Sequence, residues 1–218
     1  MKHSEPSPSE ISAPSLPSPL ASSFYEPSAE VVAPKLLGHF LLRKTPRGWA
    51  GGEIVEAEAY LANDPACHGF RRETARNRSM YGPPGRAYVY FIYGNYFCFN
   101  AVCAPKGVAE AVLVRAIEPT FGEDWMRANR PVDEARELTS GPAKLCLALD
   151  ITRPFDGVDL GDPRSGLVIA QNPNIKTFRK SRAPVVTTTR IGIGVAEHLP
   201  LRFYLDGSHY VSKRARKL

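Results

Sequence analysis

From Ala87 to Asn100 the chain reads AYVYFIYGNYFCFN, two runs of alternating side chains separated by Tyr93-Gly94-Asn95. Tyr88, Tyr90, Phe91, Tyr93, Tyr96, Phe97 and Phe99 fall in this one segment of a chain with only 9 Tyr and 10 Phe. Aromatic runs on both sides of a short glycine-containing turn form a β-hairpin. Rings inside strands normally enter a core, but Tyr93 at the turn has no core to enter and must meet solvent or a partner. Arg71, Arg72, Arg76, Arg78 and Arg86 lie just upstream. Basic side chains hold phosphate while aromatic faces stack on bases, so the expected partner is a nucleic acid.

The pattern around the hairpin is also sheet-like. Glu53–Leu61 alternates so that Ile54, Glu56, Glu58 and Tyr60 share one face, and Val55, Ala57, Ala59 and Leu61 the other. Ala109–Ile117, Gly166–Ala170, Val185–Ile193 and Leu201–Leu205 read as further strands. A helix opens at Ser140-Gly141-Pro142, with Pro in the first turn, and runs to Leu149. Strands with interspersed helices and no regular βα alternation define an α+β fold.

Residues 1–33 are dense in Pro and Ser and read as a disordered tail. One folded domain is expected over residues 34–212, followed by a basic C-terminal tail at 213–218. The net charge of +6 fits a polyanion-binding surface without requiring one. Cys67, Cys98, Cys103 and Cys146 lack CxxC spacing and sit in apolar runs, which fits reduced structural thiols better than a disulfide framework or a zinc site. No apolar stretch approaches a membrane span and the N-terminus lacks a signal-peptide core. The expected location is the cytoplasm, with access to the chromosome: the nucleoid in a bacterium, the nucleus in a eukaryote.

Several residues stand out chemically. Glu56 and Glu58 project from one face of a central-looking strand, where buried acids need partners or a function. His68 follows in the loop Asn63–Gly69, within reach of the same pocket. Arg76-Asn77-Arg78 precede the Gly82-Pro83-Pro84-Gly85 turn as a phosphate clamp. Asn100 alternates with Cys98 and Val102, so it points inward and needs hydrogen-bond partners such as a purine edge. Ile191-Gly192-Ile193-Gly194 has too few glycines and no following helix for a dinucleotide loop. Phosphate-loop, HExxH and GxSxG motifs are absent.

With these residues in view, the chain resembles the 3-methyladenine (alkyladenine) DNA glycosylase family from about Pro34 to Ser212. The resemblance is carried by EIVEAEAYL, HGFRRETARNRSMYGPPGRAYVYFIYGNYFCFN, EAVLVRAIEP, LTSGPAKLCLALDI, RIGIG and PLRFYLDGSHYVS. It implies a single mixed domain with a curved, mainly antiparallel sheet, surrounding helices and a protruding β-hairpin that enters the DNA minor groove. It places Tyr93 as the intercalating wedge, Glu58 as the base that activates water, and Arg115 as its helper. Tyr60, His68 and Tyr90 would hold the extruded base. Ala66 would supply backbone, Leu113 a wall, and Asn100 discrimination against the guanine amino group. Asn95 stands beside the wedge where a bulkier apolar residue can occur, making the tip more polar. Arg72, Arg76 and Arg78 complete the DNA-facing set.

The resemblance further implies a monomer acting on double-stranded DNA with damaged purines, without metal or cofactor. Alkylated purines carry positive charge, which aromatic walls favour and which makes the base a good leaving group. One carboxylate then suffices to deprotonate water and stabilise the developing cation. No lysine joins the pocket set, so an abasic site without strand nicking is expected. Two other classes compete: a catalytically silent nucleic-acid-binding domain, and a carbohydrate hydrolase using Glu56 and Glu58. Neighbouring carboxylates on one strand face do not bracket a glycosidic bond, which disfavours the latter.

Overall fold

The computed structural model describes residues 16–92 and 94–215. Its strands are β1 (Phe40–Thr45), β2 (Gly48–Tyr60), β3 (Ala87–Ile92), β4 (Tyr96–Cys103), β5 (Glu110–Phe121), β6 (Leu167–Ala170), β7 (Val185–Thr188) and β8 (Arg202–Leu205). They form one antiparallel sheet in the order β3-β4-β5-β2-β1-β6, with β8 joined to β2 and β7 to β8. The helices are α1 (Ala29–Leu36), α2 (Glu123–Asn129), α3 (Ala135–Thr139), α4 (Pro142–Ala148) and α5 (Ile175–Ser181). This is the expected α+β class.

Strand periodicity divides the sheet into a core face and a cleft face. Val89, Phe99, Ala101, Val112, Val114 and Ala57 enter the main core with Leu36, Leu145 and Leu149 from α1 and the α4 region. Full burial of a Leu, Val or Phe contributes roughly 1.5–3 kcal/mol. The alternate residues Tyr88, Tyr90, Cys98, Val102, Ala111 and Leu113 form a second cluster on the opposite face. The pocket side chains named above from β3, β4 and β5 sit on that second face.

β2 lies between β5 and two partners: β1 along Gly48–Glu53 and β8 along Glu56–Glu58. Its register against β5 shifts between Ile54 and Ala57. A bulge there corrects the expected alternation. Ile54 packs in the main core with Val55, Ala57 and Ala59, while only the residues beyond the bulge keep the cleft-facing phase.

Three sequence expectations need correction. The tail drawn to residue 33 is too long, because Tyr25, Ala29, Val32 and Ala33 are all 0 % exposed. Leu20 N also donates to Ile169 O and Ala29 N to Glu110 Oε2. The spacing of Ala29, Val32, Ala33 and Leu36 is that of a buried helix stripe, which the Pro and Ser density obscured. Residues 1–15 lie outside the described residues. The strand expected over Val185–Ile193 stops at Thr188. Beyond it the chain turns toward the cleft, where the Ile191 N–H bonds to Glu58 instead of to a neighbouring strand and Gly192 takes φ +75°. Of the basic tail 213–218, Lys213, Arg214 and Ala215 are fastened to the body by Arg202, Asp206, Ser208 and Tyr204. Residues 216–218 lie outside the described set.

Candidate active site

A cleft of about 280 Å³ opens on the second face of the sheet. β2 supplies Tyr60, β3 Tyr90, β4 Asn100, and β5 Leu113 and Arg115; the loop after β2 adds Ala66 and His68. The expected pocket residues are therefore brought together. Pro142 and Ala143 at the start of α4 and Ile191–Ile193 close the remaining side.

Glu58 is 0 % exposed and bonds directly to residues that line this cleft. Its Oε2 accepts from the Tyr60 hydroxyl at 2.9 Å, and its Oε1 accepts from Ile191 N–H at 2.8 Å. Arg115 Nη1 lies 3.2 Å from Oε1. A carboxylate has about four acceptor positions, so these contacts leave room for one more donor, such as a water. Burial and the adjacent Glu58 both raise the Tyr60 pKa, so its hydroxyl stays protonated and donates.

Arg115 is held between two buried acids. Its Nε donates to Glu56 Oε1 at 3.0 Å, and Glu56 also accepts from Arg202 Nη1 at 3.0 Å and Ser212 N at 2.7 Å. Burial alone would lower the pKa of Arg115, but Glu58 and Glu56 more than reverse that effect. Glu56 is thus tied to Glu58 through a shared Arg115, and the two do not face each other across a space for substrate.

The aromatic wall is built from three rings. His68 and Tyr90 meet edge-to-face, with centroids 4.6 Å apart, and Tyr88 lies 5.4 Å from Tyr90. His68 Nδ1 is 2.9 Å from the Tyr88 hydroxyl. Desolvation, then the charge of Arg76, lowers the His68 pKa, which favours the neutral ring. Asn100 is buried at 3 % exposure, and its Nδ2 donates to Tyr88 O at 3.1 Å.

The proposed DNA-facing residues stand outside the cleft. Arg72 is exposed. Arg78 pairs with Glu73 at 3.2 Å, while Arg76 Nη2 donates to Phe91 O at 3.1 Å and so ties its loop to the hairpin. Asn95 is exposed at the turn, near the exposed Phe91 and Tyr96 rings. Tyr93 lies outside the described residues.

Sequence reasoning misses several participants. Tyr88, which the hairpin pattern assigns to the core, lines the cleft. Asn77, expected in a phosphate clamp, is instead buried and donates to His68 O at 2.8 Å and Arg72 O at 3.1 Å, shaping the loop between them. Asp64 and Arg190 form a buried ion pair beside Tyr60. Ile191-Gly192-Ile193, unsuited to a nucleotide loop, borders the cleft in a different capacity. The four cysteines are free and buried, and the described residues contain no cluster of side chains suited to a metal ion. No helix among them is long and apolar enough to cross a membrane.

The mixed α+β body thus carries a basic loop, a hairpin and an aromatic cleft backed by a buried carboxylate, and comparison with known proteins gives its class as DNA glycosylase. The methylpurine-DNA glycosylase family model matches residues 23–209, and the chain belongs to that family. It is 48 % identical over 196 residues to a provisionally named 3-methyladenine DNA glycosylase of Methanoculleus marisnigri, covering 89 % of this chain and 99 % of that one. A protein of the same provisional name from Francisella tularensis is 44 % identical over 182 residues, 84 % of this chain and 92 % of its own. Another from Rhodopseudomonas palustris is 45 % identical over 207 residues, with coverages of 94 % and 96 %.

Proposed function

We propose that this DNA glycosylase, working as a monomer, extrudes alkylated or deaminated purines from duplex DNA and hydrolyses their N-glycosidic bond. The substrate class is 3-methyladenine and 7-methylguanine, extending to hypoxanthine and ethenoadenine. The observation that carries this reading is Glu58. It is a fully buried carboxylate with three protein donors, set against a cleft walled by Tyr60, His68 and Tyr90.

An extruded purine stacks on these rings, and a positively charged alkylated ring gains further from their faces. A positively charged alkylated base leaves as a neutral purine, so a water held by Glu58 attacks C1′ as the glycosidic bond breaks; a neutral base such as hypoxanthine must in addition take up a proton from solvent as it departs. Glu58 takes the proton of the attacking water and, with Arg115 fixing its orientation, its charge stabilises the oxocarbenium-like transition state. The products are a free purine and an abasic site. The lining residues of the cleft include no lysine, which argues for water rather than an amine as the nucleophile.

The test is incubation with methylated duplex DNA and chromatography of the released bases. Release of 3-methyladenine with the strand left intact before alkali treatment is expected. Absence of any released purine, or immediate strand cleavage, would overturn the proposal.

A further inference from the structure

Asp64 and Arg190 are charged groups that the proposed chemistry leaves unused. Their side chains are 1 % and 0 % exposed. The attraction within such a buried pair barely offsets the cost of desolvating it, so stability alone is a weak reason for its presence. Its connections give a better one.

Arg190 donates to both carboxylate oxygens of Asp64, the Nη2–Oδ1 bond being 3.0 Å. Its Nη1 also donates to Ala59 O at 3.1 Å, and its Cζ lies 4.7 Å from the centroid of the Tyr60 ring. The next residue, Ile191, gives its N–H to Glu58 Oε1 at 2.8 Å. On the other side, Asp64 Oδ1 accepts from Ala66 N at 3.0 Å and Asp64 O accepts from Cys67 N at 2.9 Å. One ion pair therefore joins the loop bearing Ala66 and His68, one stacking wall, and the peptide that grips the carboxylate.

We infer that Asp64 and Arg190 are positioning residues that set the orientation of Glu58 and of the cleft walls, so that their pairing governs turnover as well as folding. This rests on the reading of Glu58 and the cleft as the catalytic centre. It also explains the RIGIG segment, which Arg190 anchors and which Gly192, at φ +75°, turns directly after the Ile191 donor.

Two variants test it, Arg190→Lys and the double variant Asp64→Leu/Arg190→Met. Lysine keeps a cation beside Asp64 but cannot bond in one plane to both its oxygens and to Ala59 O. The double variant removes both charges together, an exchange that often leaves stability unchanged or improved. Single-turnover purine release from methylated duplex DNA is measured at saturating enzyme, alongside duplex affinity and thermal denaturation of each protein.

Both variants are expected to fold and to release base more slowly by roughly 100-fold, the loss that a displacement of about 1 Å in a reacting group produces. The loss should fall on the rate at saturating enzyme and leave the affinity for duplex nearly unchanged, because the pair orients the Ile191 N–H toward Glu58 and bonds to none of the proposed DNA-facing residues. A folded variant with the wild-type rate, or one whose loss lies wholly in duplex affinity, overturns the inference. Should the double variant fail to fold, Arg190→Lys decides by the same criteria. If the wild-type protein itself releases no purine, the proposed function falls and takes the inference with it. Wild-type activity with indifferent variants removes the inference alone.

Discussion

Arg115 donates from Nε to Glu56 Oε1 at 3.0 Å, so a second buried acid fixes the guanidinium that faces Glu58. Glu56 in turn is held by Arg202 and by the backbone and hydroxyl of Ser212. Replacing Glu56 with Gln keeps its shape but leaves Arg115 and Arg202 with one anion fewer between them. Stability is expected to fall by about 3–5 kcal/mol, as when one member of a buried pair is removed. Urea denaturation measures this directly. A loss of less than about 1 kcal/mol would place the contact with exposed ion pairs and contradict the assigned role.

Glu58→Gln is the sharper test of chemistry. The amide oxygen can still accept from Ile191 N–H, and the amide nitrogen can donate to the Tyr60 hydroxyl, which rotates to accept. The fold and the affinity for methylated duplex are therefore expected to persist, measured by melting and by equilibrium titration. Single-turnover base release should drop by at least about 10²–10⁴-fold, the usual contribution of a general base. Unchanged release would remove Glu58 from the mechanism.

Asn100 makes a prediction about selectivity. Its amide is oriented by donation to Tyr88 O at 3.1 Å, in the lining of the cleft. Asn100→Ala removes the group proposed to oppose a purine 2-amino substituent. Discrimination between purines with and without that substituent should weaken by roughly 1–3 kcal/mol. Competition between two such lesions in otherwise identical duplexes gives the ratio; an unaltered ratio would move the discrimination elsewhere.

Much of this site is legible in the sequence because strand alternation is a strong local signal. Period-two spacing aims Tyr60 and Asn100 from their strands, and the hairpin and α4 have nearly their expected bounds. What escapes is whatever depends on non-local pairing. The bulge that separates Ile54 from Glu56 arises from register against β5, which no local pattern encodes. Arg190 lies 126 residues from Asp64, and Ile191 lies 133 from Glu58, so neither contact leaves a trace in spacing. The helix α1 is hidden for a different reason: Pro34 inside it and a Pro-rich stretch before it outweigh a short buried stripe. The specific roles proposed for Glu58 and Arg115 come from family resemblance, since periodicity alone leaves a buried acid without a function.

The hairpin supplies a prediction about duplex substrates. β3 and β4 pair as far as Ile92 and Tyr96, and the exposed Phe91, Tyr96 and Asn95 flank the position of Tyr93 in the chain. If Tyr93 fills the gap left by an extruded base, Tyr93→Ala should slow excision of a paired lesion, because unstacking and unpairing then go uncompensated by a few kcal/mol. Excision from single-stranded DNA should change much less. Equal losses on the two substrates, or none on duplex, would refute the wedge assignment.

His39 predicts how stability responds to acid. Burial, then the Arg179 guanidinium, lowers its pKa from 6.5 to about 4, and its buried Nδ1 has no hydrogen-bond partner among the described residues. Its folded-state pKa lies below the unfolded one, so the unfolded chain binds more protons across that interval. The contribution to stability is complete above about pH 6.5 and is lost as the pH falls through about 4. The full linkage amounts to roughly 3 kcal/mol. Glu53 acts in the opposite sense, because burial raises its carboxyl pKa and favours the folded state in acid. The two are separated by His39→Phe, whose ring can keep the edge contact with Phe24, now 5.5 Å between centroids. Denaturation at about pH 7 and about pH 4.5 should show a smaller acid loss in the variant than in the wild-type protein, by about 2 kcal/mol. Parallel pH profiles for the two proteins would mean that His39 titrates normally in the folded state.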